Sequence, residues 1–132
     1  MVNYFKVLRP WQWIKNLVIF IPYILGSEDY INNLFETILI FIIFSLFVSS
    51  TYIFNDIKDV NLDKSHPTKK NRPIASGKID TNRATAIGLA IFVLTLLGSY
   101  FVNSSVASYF LIYAVVTFFY TYIVMLHLFW YL

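Results

Sequence analysis

Three stretches of the chain, residues 37–54, 84–102 and 106–126, contain no charged residue. Each approaches the roughly 20 residues that an α-helix needs to cross about 30 Å of hydrocarbon. A fourth apolar tract, 17–25, is too short alone. Pro10 suits the first position of a helix, and a helix begun there runs over 10–25, long enough to span with some thinning of the bilayer. The tract Asn103-Ser104-Ser105 separates the last two stretches and makes a tight hairpin. The pattern therefore predicts an all-α chain with transmembrane helices near 10–25, 37–54, 84–102 and 106–126, and one long polar segment, 55–83.

The polar segments agree on orientation. Lys6, Arg9 and Lys15 precede the first span without an acid among them, whereas Glu28, Asp29 and Glu36 follow it without a base. Segment 55–83 holds seven of the ten Lys and Arg residues, and Asn103-Ser104-Ser105 holds none. Basic loops stay cytoplasmic, so the N-terminus and the 55–83 loop are expected inside, in the inner (cell) membrane. A signal peptide fits the first span less well: Ile24-Leu25-Gly26-Ser27 lacks the small-x-small cleavage pattern, and further spans follow. Composition sharpens the picture: 58% hydrophobic and 13% charged residues cannot clothe a water-exposed surface. The net charge of +3 is placed as membrane topology requires and is no signature of a nucleic-acid partner. The absence of cysteine excludes disulfides, thiolate zinc sites and a thiol nucleophile. His127 to Leu132 continue apolar without a basic anchor, so the expectation is that the chain belongs to a longer protein, a long tilted last helix being the alternative.

Candidate chemistry concentrates where the second span leaves the membrane. Asp56, Asp59 and Asp63 are spaced i, i+3, i+7, and Tyr52, Ser49 and Ser45 continue the stripe backwards into the membrane; on a helix all share a face. A solvated acidic helix end is the plain alternative. Against it, the C-terminal end of a helix disfavours negative charge, and none of the three acids has a Lys or Arg three or four residues away. Some cation should therefore sit among them, and hard oxygen ligands with room for water suit Mg²⁺ shared with a phosphate. Lys69, Lys70 and Arg72 follow, in a loop punctuated by Pro67, Pro73 and Gly77. Alone they read equally well as lipid-headgroup anchors. Next to the carboxylates they describe a metal–pyrophosphate site, where bases and metal together neutralise a leaving group. Elsewhere, Gly88, Thr95 and Gly98 read as close-packing positions on the third span. Tyr109, Tyr113, Thr117 and Tyr120 form a stripe on the fourth that suits helix packing, and His66 suits either a phosphate or an ordered loop.

Asn55-Asp56-x-x-Asp59-x-x-x-Asp63 followed by Arg72-Pro73-Ile74-Ala75-Ser76-Gly77 resembles the first aspartate-rich motif and basic loop of the UbiA superfamily. Leu8-Arg9-Pro10-Trp11-Gln12-Trp13-Ile14-Lys15-Asn16 and His66-Pro67-Thr68-Lys69-Lys70 resemble its decaprenyl-phosphate phosphoribosyltransferase branch, and aromatic prenyltransferases less. The resemblance implies a bundle of about nine helices around a central cavity, of which residues 1–132 are the N-terminal part. A second aspartate-rich motif, which the superfamily has, is missing: no acid follows Asp80. It also implies Mg²⁺ held by Asp56, Asp59 and Asp63, with Asn55 as ligand or orienter, Lys70 and Arg72 on the leaving diphosphate, and Lys69 beside them. Arg9, Gln12 and Asn16 fall near one face of the first helix with Lys15 beside it. Lys15 either holds the phosphate of a polyprenyl phosphate or snorkels to headgroups. The implied partners are a polyprenyl phosphate or diphosphate lipid, a pyrophosphate-bearing donor and the bilayer. The implied activity is phosphoribosyl transfer to a polyprenyl phosphate in cell-envelope synthesis. Its rivals are an aromatic prenyltransferase and a non-catalytic membrane protein.

Overall fold

The computed structural model describes residues 2–25 and 34–121. They form α1 (Val2–Val7), a 3-10 helix (Pro10–Phe20), α2 (Ile21–Leu25), α3 (Leu34–Lys58), α4 (Val60–Ser65), a 3-10 turn (Lys69–Asn71), α5 (Thr81–Val102) and α6 (Ser104–Phe119), with no strand among them. Glu28, Asp29 and the end of the fourth expected span, with His127, lie outside the described residues. α3 and α5 are long and apolar enough to cross a membrane, and α6 is apolar but shorter.

The first span is helical over the expected residues but differently wound. At about 2.0 Å per residue along the 3-10 part and 1.5 Å along α2, the sixteen residues from 10 to 25 rise about 30 Å. No thinning of the bilayer is then required. The winding also decides which side chains meet α3. Residues i and i+3 eclipse in a 3-10 helix, so Pro10, Trp13, Asn16 and Ile19 share the half-buried face while Trp11, Ile14 and Leu17 are exposed. Trp13 Nε1 donates to Ser49 Oγ at 3.0 Å and Asn16 Nδ2 to Ser45 Oγ at 3.1 Å. Two serines one α turn apart and two donors one 3-10 turn apart both span about 6 Å. The pitch of one matches the register of the other.

α3 is the axis of the structure, burying Ser45, Phe47, Val48, Ser49, Ser50, Ile53 and Asp56. α5 packs along it where glycine allows. A Cβ built on Gly88 would stand 3.2 Å from both Ile53 Cγ2 and the Phe54 ring, whereas one on Gly98 would meet Ile43 Cδ1 at an ordinary 3.6 Å. Thr95 is buried and its hydroxyl turns back to the Ile91 carbonyl at 2.7 Å. Gly88 and Thr95 are close-packing positions, whereas Gly98 leaves room for a Cβ. Gly88→Leu is expected to wedge α5 from α3 and destabilise the protein by about 1–3 kcal/mol, read from the midpoint of unfolding in mixed detergent micelles.

α5 turns into α6 through Asn103, whose backbone N–H donates to Ser99 O at 3.0 Å and whose Oδ1 accepts from Ser105 N at 2.9 Å. The tight hairpin is thus built on one residue. α6 docks on α3 by rings. Phe47, fully buried, has its centroid 5.1 Å from Phe92 and 5.0 Å from Phe110, and Phe44 lies 5.3 Å from Tyr113. Of the expected stripe Tyr113 packs against Phe44 and Phe47 and Thr117 is half-buried, whereas Tyr109 and Tyr120 are exposed.

Candidate functional site

The polar segment folds back over the end of α3. Ile74, Ala75 and Ile79 are buried, and the isoleucines pack with Val7, Ile53 and Ala84. Ile79 N donates to Pro73 O at 3.0 Å and Ser76 N to Arg72 O at 2.9 Å, closing the loop on itself. Gly77 takes φ 73°, a left-handed conformation that suits glycine. Asp80 then caps α5, its carboxylate accepting from Asn82 N at 3.0 Å and Arg83 N at 3.4 Å. His66 is exposed and orders the loop: its Nδ1 accepts from the backbone N–H of Thr68 and Lys69, both at 3.3 Å.

This packing delivers Arg72 to the acids. Its Nη1 donates to Asp56 Oδ1 at 3.0 Å and to Asp63 Oδ2 at 2.6 Å. Both carboxylates are buried, at 5% and 2% relative exposure. Arg9 reaches the same Asp56 Oδ1 from the other side through its Nη2, with its guanidinium carbon 5.2 Å from the centre of the Tyr52 ring. The cations inferred to lie among the acids are therefore two arginines from distant parts of the chain. Arg9 had not been singled out as a site residue; its position on the motif shared with Trp13 and Asn16 was the available signal.

Asp59 pairs with neither arginine. α3 ends at Lys58 and α4 begins at Val60, with Asp59 between them at φ −90°, ψ 8°. Helical backbone bonds run through this junction, Asp59 N to Asn55 O at 2.9 Å and Asp63 N to Asp59 O at 2.8 Å, and the Asp59 side chain is half-buried and without a partner among the described residues. No three carboxylate or imidazole side chains among the described residues come close enough together to hold a metal ion. The donor set nevertheless fits magnesium, which takes one or two carboxylates and fills its shell with water and phosphate. Asp56 Oδ2, Asp63 Oδ1, Asp59 and the Asn55 amide have no protein partner among the described residues, and no unpartnered side-chain oxygen there is buried.

The remaining expected site residues separate. Lys69 and Lys70 are exposed on the 3-10 turn. Asn16 spends one amide N–H on Ser45. Gln12 and Lys15 share a different 3-10 face, Gln12 half-buried and Lys15 exposed, so the face expected to join Gln12 with Asn16 does not form. On the other side of α3, a groove of about 740 Å³ runs between α3, α5 and α6. Its walls are mostly apolar, as at Phe54, Leu89, Phe92 and Leu111, and the last turns of α3 give it Asn55 and Lys58. Lys58 Nζ donates to the Thr121 carbonyl across it.

The model of the UbiA prenyltransferase family matches residues 16–131. The chain belongs to this family. UbiA members are integral membrane proteins, and α3 and α5 are the described helices long and apolar enough to cross a membrane. The chain is 35% identical over 102 residues to decaprenyl-phosphate phosphoribosyltransferase of Mycobacterium tuberculosis, an alignment covering 74% of this chain and 34% of the relative. The enzyme of that name from Corynebacterium glutamicum is 36% identical over 94 residues, 69% of this chain and 28% of the relative. Digeranylgeranylglyceryl phosphate synthase of Sulfurisphaera tokodaii is 32% identical over 101 residues, 76% of this chain and 35% of the relative. The chain thus spans about a third of the length of these UbiA relatives.

Proposed function

We propose that this chain supplies the diphosphate-binding part of a membrane transferase that moves a phosphoribosyl group onto a polyprenyl phosphate. In that reaction an oxygen of the lipid phosphate bonds to the anomeric carbon of phosphoribosyl pyrophosphate. The bond from that carbon to the pyrophosphate oxygen breaks, and pyrophosphate leaves with the electron pair. The observation that carries the reading is the meeting of Asp56, Arg72 and Asp63 at the end of α3, the helix whose other face lines an apolar groove. The names of the mycobacterial and corynebacterial relatives support the choice of donor and acceptor.

Magnesium, when bound, would neutralise charge on the leaving diphosphate. Asp56 and Asp63 would hold it, with Asn55 as a further oxygen ligand and Asp59 adding negative charge nearby. Arg72 commits only Nη1 to the carboxylates, so its Nε and Nη2 can donate to phosphate oxygens in the forked manner of guanidinium. Lys69 and Lys70 stand exposed in the same loop and add positive charge at its mouth. The groove accommodates a prenyl tail, and Lys58 on its wall holds the lipid phosphate better than Lys15, which faces outward from the 3-10 helix. The excess of Lys and Arg in segment 55–83 puts this site on the cytoplasmic side of the inner membrane.

Asp56→Asn keeps the shape of the side chain and removes its charge. It is expected to weaken magnesium-dependent binding of phosphoribosyl pyrophosphate by about 10–100-fold, measured by calorimetry on the protein in nanodiscs. Binding as tight as in the unaltered protein would remove Asp56 from the metal site. Preference for a prenyl diphosphate over phosphoribosyl pyrophosphate would instead favour the chemistry named for the archaeal relative.

A further inference from the structure

We infer that Arg9 is a metal stand-in: it neutralises Asp56 while the site is empty of magnesium and turns onto the diphosphate when the magnesium complex arrives. The inference rests on the metal–diphosphate reading above and assigns Arg9 a role that reading does not contain. Its basis is the charge balance of the cluster. Two buried carboxylates, Asp56 and Asp63, face two guanidiniums, Arg9 and Arg72. The four charges cancel without any metal. A divalent cation entering alone would meet a neutral cluster and two nearby positive groups, an arrangement that low effective dielectric makes costly. A cation entering with a diphosphate brings the anion that can take a displaced arginine.

Arg9 is the arginine free to make that exchange. Arg72 bridges both carboxylates and is held by a loop anchored on buried Ile74 and Ile79. Arg9 touches Asp56 alone, through one nitrogen, and its Nε and Nη1 have no protein partner among the described residues. Its backbone lies between α1 and the 3-10 helix at φ 51°, ψ 52°, the left-handed region that favours glycine. Arginine there is the poorer residue for the turn, which fits a position kept for its side chain. The Tyr52 ring beside it offers the guanidinium a π face, a support along which the head can move without losing all its contacts.

The test uses two probes, Mg²⁺ alone and magnesium pyrophosphate, titrated by calorimetry into the protein in nanodiscs. Arg9→Gly removes the cation and suits the left-handed turn, so the variant keeps its backbone. It is expected to bind Mg²⁺ alone about tenfold more tightly than the unaltered protein and magnesium pyrophosphate about tenfold more weakly. Arg9→Lys, which restores the charge without the fork, is expected to return both affinities most of the way. The opposite signs are the diagnostic feature, since damage to the fold would weaken both probes together. Equal weakening of both, or no change in either, overturns the role of Arg9 while leaving the metal–diphosphate site standing. Failure of the unaltered protein to bind magnesium pyrophosphate at all overturns the underlying reading and this inference with it.

Discussion

Arg72→Ala is expected to destabilise the protein by about 2–4 kcal/mol, the lower part of the range for breaking a buried ion pair, because the Arg72 side chain is 27% exposed. The loss falls unequally on the two acids. Asp56 keeps Arg9, whereas Asp63 is left buried with no cation among the described residues. Because Arg72 ties the loop to α4, the substitution also loosens the segment that holds Lys69 and Lys70, two exposed trypsin sites. Limited trypsin digestion of the nanodisc protein is the direct measurement, with cleavage in the loop expected to accelerate in step with the stability loss. Combining Arg72→Ala with Asp63→Asn removes the orphaned charge as well. The double variant is expected to recover more than half of the lost stability, and a purely additive result would mean that the Arg72–Asp63 contact is not coupled.

The asymmetry between the two acids also explains what the sequence could and could not convey about the site. The acids were legible because they obey a helical period over a few residues, and the polar stripe through Ser45, Ser49 and Tyr52 was legible for the same reason. Their partners were not. Arg9 lies 47 residues from Asp56 and Trp13 lies 36 from Ser49, so no local spacing rule links them. The need for a cation among the acids could be inferred from their mutual repulsion. That arginines meet it in this state required the loop to be folded, with Ile74 and Ile79 buried so that Arg72 points back to α3. At Asp59, where α3 ends and α4 begins, the helical period could not convey that the two arginines would engage only its neighbours.

The spans were read from the absence of charge, and that signal says where a helix lies without saying how it is wound. Treating Pro10–Phe20 as an α-helix set Arg9, Gln12 and Asn16 on one face; the 3-10 winding sets Trp13 and Asn16 there instead. The deciding fact is the position of two serines on another helix, which composition does not encode. Gly88 and Thr95 on α5 fared better, because small residues admit close approach whatever the neighbour's identity. Gly88 against Ile53 and Phe54 is the case in point.

Phe47→Ala is expected to cost about 2–4 kcal/mol and, at the site, to act on the groove alone. Lipid tails are as apolar as the ring, so little is lost by transferring it; the cost is the cavity and the contacts forfeited around it. Those contacts are with Phe92 on α5 and Phe110 on α6, and Phe47 is fully buried between them. Without the ring, α6 keeps only the Phe44 contacts with Phe110 and Tyr113 among its ring contacts to α3, and α6 is the wall that brings Leu111 to the groove. The carboxylate–arginine cluster lies more than two α turns further along α3 and is held by separate contacts. Binding of a polyprenyl phosphate is therefore expected to weaken about tenfold, while binding of magnesium pyrophosphate stays within about twofold of the unaltered protein. Calorimetry with each probe in nanodiscs reads the two effects separately. Equal weakening of both would mean that groove and cluster form one cooperative unit; loss of diphosphate binding alone would contradict the assignment of the groove to the lipid.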